Sequence, residues 1–366
     1  MALSDLVNEN ICRLKPYVPG KPIEEVEREY GITNIVKLAS NENPLGPSPR
    51  ALAAMREALG SVGLYPDGAC FSLKKALARH WGVREEELFI GNGSDEIIHN
   101  IGLTFLSPGD EVIQGDPSFS QYETSATLCS SGCVMVPLKD FTFDLDAMGD
   151  AITDQTRIVY VTNPNNPTGT SVSQWDVDRL MERLPARVIA IFDEAYYEYV
   201  ERPDYPNVYE YVKAGANAII LRTFSKAYGL AGLRVGYGIM RPELVACLNQ
   251  VRQPFCVNSI AQAGAVASLD DPEQVARTRK LNSEAKQYLY HELDRMGLQY
   301  IPTDANFIFM DVKRDCRQVF VEMLKRGVIV RTGDIFGYPT FIRVTTGLPE
   351  ENRRFIETLS EVLSTC

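Results

Sequence analysis

Thr223-Phe-Ser-Lys-Ala-Tyr-Gly-Leu-Ala-Gly-Leu-Arg234 follows an apolar run at 218–221 that reads as a buried strand. Here a strand ends in hydroxyl residues and is followed by a lysine, small residues and an arginine. That order puts phosphate ligands beside a nucleophilic amine. A lysine in a solvated loop would carry the same letters, so the reading depends on the surrounding chain.

Outward from this stretch the chain alternates strands and helices. Apolar runs at 87–90, 111–114, 157–162 and 187–192 each lead into a distinctive loop. The loops are Gly91-Asn-Gly-Ser-Asp-Glu96, Asp116-Pro-Ser-Phe-Ser-Gln-Tyr122, Asn163-Pro-Asn-Asn-Pro-Thr-Gly169 and Asp193-Glu-Ala-Tyr196. Strands separated by helical stretches predict an α/β fold: a three-layer α/β/α large domain with a mostly parallel sheet. Ligands of such sheets bind beyond the carboxyl ends of the strands, and every one of these loops falls at that edge. The convergence carries more weight than any single loop.

Past Pro254 the character changes. Helices at 258–267 and 273–296 precede short strands at 305–311, 327–330 and 341–345, a helix at 316–326 and a last helix at 349–363. This pattern predicts a smaller α+β domain. The amino-terminal Leu14-Lys-Pro-Tyr-Val-Pro-Gly-Lys-Pro22 is punctuated by prolines and reads as an arm lying across a larger body. The expected organisation is an arm at 1–33, a large domain at 34–258 and a small domain at 259–366.

Composition narrows the function classes. A net charge of -11 argues against a general nucleic-acid or membrane-surface partner, while leaving room for a local basic pocket. The chain has no apolar run of membrane-span length, and residues 1–10 lack a signal-peptide pattern. Its cysteines are scattered without a CxxC pair, as expected of reduced thiols in a cytoplasmic protein. His80, His99 and His291 lack metal-ligand spacing, so no metal site is expected.

The residues at the strand ends can be given chemistry one by one. Free backbone N–H groups at Ser94 and Asp95 could cradle a phosphate, or simply form a helix cap. The loop is not a dinucleotide fingerprint, since GxGxxG fails at Glu96. Pyridoxal 5'-phosphate (PLP) needs a lysine near its aldehyde and a carboxylate near its pyridine nitrogen, which Lys226 and Asp193 could supply. Tyr196 and Asn166 could then meet the ring hydroxylate, although Tyr197 and Tyr199 also suit an interfacial aromatic cluster, and the Asn-Pro run would form turns in any protein. Phe119 and Tyr122 could face the ring or belong to the core. Arg343 lies inside the apolar run Phe341-Ile-Arg-Val-Thr345 and requires an anionic partner; Arg331 nearby favours a substrate over an internal carboxylate.

Taken together these motifs resemble the fold-type I PLP-dependent aminotransferases, and among them the histidinol-phosphate aminotransferases. The resemblance spans essentially the whole chain, from Leu14-Lys-Pro-Tyr17 through Ser40-Asn-Glu-Asn-Pro-Leu-Gly46 and Tyr65-Pro-Asp-Gly68 to Ile342-Arg-Val-Thr345. It implies catalytic roles for Lys226, Asp193 and Tyr196, with Lys226 joined to the cofactor through a Schiff base. It implies cofactor contacts from Ser94, Asp95, Phe119, Tyr122, Asn166, Thr223, Ser225 and Arg234. Tyr65 would reach the phosphate from a partner subunit, giving a homodimer with shared sites. Tyr17, Asn43, Arg331 and Arg343 would hold substrate. The implied reaction passes an amino group from a small-molecule donor, L-histidinol phosphate, to a 2-oxo acid acceptor, 2-oxoglutarate. Competing readings are an aromatic amino-acid aminotransferase, a PLP-dependent L-threonine O-3-phosphate decarboxylase, and a ligand sensor built on the same scaffold. One departure is the segment Val330-Arg-Thr-Gly-Asp-Ile-Phe-Gly-Tyr-Pro339, where an acidic residue or proline often follows the arginine in the family.

Overall fold

A mixed seven-stranded sheet dominates the computed structural model, which describes residues 6–7, 9–14, 16 and 20–365. The short strand β1 (Val36–Lys37) stands apart from it. The sheet contains β2 (Leu88–Gly91), β3 (Glu111–Asp116), β4 (Gly132–Pro137), β5 (Thr156–Thr162), β6 (Ile189–Asp193), β7 (Ala218–Thr223) and β8 (Gly236–Met240). Their spatial order is β2-β8-β7-β6-β5-β3-β4. The strands from β7 to β4 run parallel, while β8 is antiparallel to both its neighbours.

Helices cover both faces, because the central strands are apolar on both. β6 and β7 are buried at every position, as continuous apolar runs in a parallel sheet require. On one face Ile97, Ile101, Tyr122 and Leu248 pack against Ile191, Ile219 and Leu221. On the other, Leu73, Leu77, Val177, Leu180 and Ala265 pack against Phe192 and Ile220. Two strands of this sheet were not foreseen. β4 is a half-exposed edge strand, and β8 carries two glycines that dilute its strand propensity. Gly236 is nevertheless required, since a Cβ there would stand 2.8 Å from the backbone nitrogen of Ser94.

The smaller sheet contains β9 (Gln299–Ile301), β10 (Phe307–Asp311), β12 (Arg331–Thr332) and β13 (Phe341–Thr345) in the antiparallel order β12-β13-β10-β9. Leu289, Leu293, Val319, Met323, Phe355 and Leu359 from three helices pack on Ile308, Met310, Ile342 and Val344. The packing departs from the expected divisions at 33 and 258. β1 pairs in parallel with β11 (Val328–Ile329), and Val36 and Leu38 join the small-domain core. The helix Ser259–Leu269 goes the other way, burying Ala261, Ala265 and Leu269 in the large-domain core. Apolar surface decides membership here, and order along the chain does not.

The register brings the carboxyl ends of β2, β5, β6 and β7 to one edge with the amino end of β8. Gly91 pairs with Gly236, which pairs with Thr223, while Thr162 pairs with Asp193 and Asp193 with Leu221. Beyond that edge the lysine loop is pinned by a close backbone contact. Gly229 has φ +70, and a Cβ on it would lie 2.4 Å from the carbonyl of Gly46. Gly229→Ala therefore adds left-handed strain to a backbone clash and is expected to destabilise the protein by about 2–4 kcal/mol in urea unfolding. Wild-type stability would mean that the two loops separate easily.

Candidate active site

The strand ends open into a cavity of about 1290 Å³. Ser94, Asp95, Phe119, Asn166, Asp193, Tyr196, Thr223, Ser225, Lys226, Arg234, Arg331 and Arg343 all line it, so most of the expected residues converge on one space.

Lys226 lines it from the loop that follows β7. Its Nζ donates to the backbone oxygen of Ser40 at 3.0 Å and lies 5.7 Å from the Tyr196 ring centroid. Burial, and then the nearby Arg343 guanidinium, lower its amine to about 8. Both effects disfavour the charged form, so roughly a tenth of the amine is neutral at pH 7. Tyr196 is buried, with its hydroxyl oxygen accepting from Asn41 Nδ2 at 2.9 Å.

Asp193 closes β6 at 4% exposure. Its Oδ2 accepts from the Tyr122 hydroxyl at 2.7 Å, and its Oδ1 from the backbone nitrogen of Ala195 at 3.2 Å. Burial raises the carboxyl from 3.8 to about 6. Among the described residues no cation forms an ion pair with it.

At the other end of the cavity the helix Ser94–Phe105 points its free N–H groups inward. Arg234, with φ 56, brings Nη2 to 3.4 Å from Asp95 Oδ2 and Nη1 to 3.5 Å from Ser225 Oγ. Thr223 Oγ1 donates to Ser225 Oγ at 3.0 Å. Gly93 has φ +81, a left-handed conformation that favours glycine, and lies against the Arg234 guanidinium. Hydroxyls, helix N–H groups and a guanidinium form a donor set suited to a phosphate. A buried carboxylate lacking a cation suits a protonated ring nitrogen, and a buried amine between them suits an aldehyde. The residues present fit PLP.

Arg331 and Arg343 stand directly opposite each other across the β12–β13 ladder. Like charges in that position repel unless an anion lies between them. The Arg343 guanidinium donates to Ala39 O at 2.8 Å and to Asn166 Oδ1, and lies over the Phe307 ring at 5.1 Å. Asn166 thus spends its carbonyl on Arg343, which leaves its NH2 as the group able to donate to a ligand.

Two expected residues, Tyr122 and Asn43, differ in place. Tyr122 does not face the cavity: it is fully buried, stacks on Tyr160 at 4.2 Å and acts through Asp193. Asn43 stands behind the cavity, its Nδ2 donating to Ala227 O at 2.8 Å and to Thr278 Oγ1 at 3.0 Å, and so braces the lysine loop. Tyr65 is 83% exposed, stacked on Phe255, and outside the cavity of its own chain. Tyr17 lies outside the described residues. Ser40, Asn41 and Thr162 also line the space; the first two lie in a motif quoted for the family resemblance, and none of the three was given a role from the sequence. Thr162, as the last residue of a strand, carried the one signal that could have found it.

A sequence profile of the family described as aminotransferase class I and II matches residues 33–359. The histidinol-phosphate aminotransferase of Moorella thermoacetica is 55% identical over 97% of this chain and 92% of its own. The histidinol-phosphate aminotransferase 2 of Carboxydothermus hydrogenoformans is 49% identical over 98% and 99%. The crystal structure of histidinol-phosphate aminotransferase from Sinorhizobium meliloti in complex with pyridoxal 5'-phosphate superposes with a TM-score of 0.91 at 28% identity, covering 98% of each chain.

The buried Asp193 carboxyl has a consequence for stability. It binds its proton near 3.9 in the unfolded chain and near 6 in the folded, cofactor-free chain, so its contribution is greatest below about pH 4 and is lost as pH rises through about 6. The Tm of the cofactor-free protein should therefore fall more between pH 4 and pH 7 than that of Asp193→Asn. Parallel Tm profiles for the two proteins would show that the carboxylate is solvated.

Proposed function

The chain belongs to the class I and II aminotransferases, and from that premise we propose that it moves an amino group from L-histidinol phosphate to 2-oxoglutarate. The products are imidazole-acetol phosphate and L-glutamate, a step of histidine biosynthesis. The carrying observation is that two arginines face each other in register inside the cavity that holds Lys226. One pocket must accept a phosphate in one half-reaction and a carboxylate in the other, and guanidinium forks match either oxyanion. The identities of the relatives support the choice of donor.

The cofactor is PLP, which supplies an aldehyde for capture of the donor amine and a ring that accepts electrons from the reacting carbon. Asp193, held in place by Tyr122, keeps the proton on the ring nitrogen. Tyr196 and the Asn166 amide donate to the ring oxygen, while Phe119 offers a flat apolar wall. Ser94, Asp95, Thr223, Ser225 and Arg234 bind the cofactor phosphate. Lys226 Nζ would take up and return the proton of the reacting substrate carbon, a task suited to an amine whose burial brings it near neutral pH. Arg331 and Arg343 orient the substrate anion.

We read the protein as a cytoplasmic homodimer with shared sites. Tyr65 and the adjoining Leu64 are among its most exposed large side chains, as suits groups that a second subunit covers. The described cysteines, Cys12 to Cys316, carry free thiols, in keeping with a reducing compartment. No helix among the described residues is long and apolar enough to cross a membrane. Tyr17 is assigned to the substrate on the family resemblance.

The test is a half-reaction on PLP-loaded protein, following the visible band of the cofactor after separate addition of three amines. L-histidinol phosphate should bleach the band well ahead of L-phenylalanine and L-threonine O-3-phosphate. A lead for phenylalanine would reassign the protein to aromatic amino acids, and no change with any amine would sink the transaminase reading. Arg331→Leu and Arg343→Leu should each lower kcat/KM by roughly 10- to 100-fold for the amino donor and for 2-oxoglutarate alike. Loss confined to one of the two would mean separate anion pockets.

A further inference from the structure

Beneath the cavity lies an ion pair to which the chemistry above assigns no role. Strand periodicity places Arg222 on the same face of β7 as Ile220, and Glu194 on the same face as Phe192. That face is opposite the one bearing Asp193 and Thr223. Arg222 Nε and Nη2 donate to Glu194 Oε2 at 2.9 and 2.7 Å, with both side chains buried. The guanidinium is closed between two rings, 3.9 Å from the Trp81 centroid and 3.6 Å from that of Tyr197. Glu198, His80 and Tyr237 also face this charge. Glu198 is buried with Oε1 unpartnered; its burial pushes its carboxyl up to about 7.

The pair spans two segments that carry chemistry. Glu194 directly follows Asp193 and precedes Tyr196, and Arg222 precedes Thr223, Ser225 and Lys226. Only one main-chain hydrogen bond, from Glu194 N to Leu221 O at 2.9 Å, otherwise ties the start of the 193–199 turn to β7. An ion pair taken wholly out of water is poor as a source of net stability, because desolvation offsets the attraction. Its fixed geometry is worth more as a register device.

We propose that Arg222 is a positioning residue, whose clamp on Glu194 between the Trp81 and Tyr197 rings holds the 193–199 turn and the 223–230 loop in one fixed relation. The clamp sets the aim of Asp193 and Tyr196 relative to Lys226 without touching substrate. Only the kinetic and spectral readouts of the idea rest on the aminotransferase reading.

The test compares wild type with the double variant Arg222→Met/Glu194→Gln, which removes both charges together, and with Arg222→Lys, which keeps the charge and loses the planar fork. In the cofactor-free protein, amide hydrogen exchange should quicken in 193–199 and 223–230 together, by roughly tenfold or more in the double variant and by less in Arg222→Lys. In the loaded protein, kcat should fall by about 10- to 100-fold with KM of the amino donor changed by less than about threefold. The pH midpoint of the cofactor's visible band should also move by about half a unit or more. Wild-type exchange in both segments, with kcat and band midpoint unchanged, would overturn the proposal even if Tm dropped. Should the double variant not fold, Arg222→Lys decides: joint loosening of the two segments supports the clamp, and wild-type exchange in both overturns it. A wild-type protein that shows no visible band with PLP would sink the aminotransferase reading and leave the exchange measurement to judge the clamp.

Discussion

The Asp193 carboxylate is held out of water by the protein, and the rest of the site is arranged around that burial. The strands beside it are apolar over most of their length, and Asp193 is the last residue of its own strand, where the sheet meets the cavity. Tyr122 and the Ala195 amide hold its two oxygens and leave it without a cation of its own. A protein seldom leaves a buried acid in that state unless something positively charged is to join it. The depressed Lys226 amine has the same origin on the opposite sign of charge. Both groups are less comfortable in the cofactor-free chain than in water, which is how a site stays reactive toward a particular partner.

The basic end of the cavity follows the same logic at a coarser scale. The chain is acidic overall, with a net charge of -11. Yet Lys226, Arg234, Arg331 and Arg343 gather in one concave space with low-dielectric walls. Cations fixed at separate points of a cavity that also carries Glu42, Asp95, Asp116, Glu123, Asp193 and Asp334 attract small anions locally. The opposed pair in β12 and β13 refines this by presenting two forks to one anion.

Much of this was legible before any coordinates, because each functional loop marks a switch from strand to helix and such switches are visible as letters. The residues placed wrongly share a reason. Tyr122 and Asn43 are polar groups beside functional ones, and which face they turn toward is settled by packing against Tyr160 and Thr278, residues distant in the sequence. β8 was hidden by glycines that its neighbours demand, and β4 by being half in solvent. The domain divisions failed where the chain crosses from one core to the other, at β1 and at Ser259–Leu269. Arg222 drew no reading from the sequence; its partner and its two covering rings appear only in three dimensions.

The segment from Ala39 to Asn43 touches Arg343, Lys226, Tyr196 and the carbonyl of Ala227 in turn. Asn41 is itself held by Thr345, a residue 304 positions later. Synthesis delivers the two ends of that contact at opposite times. A nascent chain exposes Asn41 early and must wait until Thr345 and the strand around it have emerged before the segment can be fixed. Completion of the catalytic surroundings is thus tied to synthesis of β13. An interrupted translation product, however much of the large sheet it contains, lacks the strand that seats this segment and holds a half-built cavity.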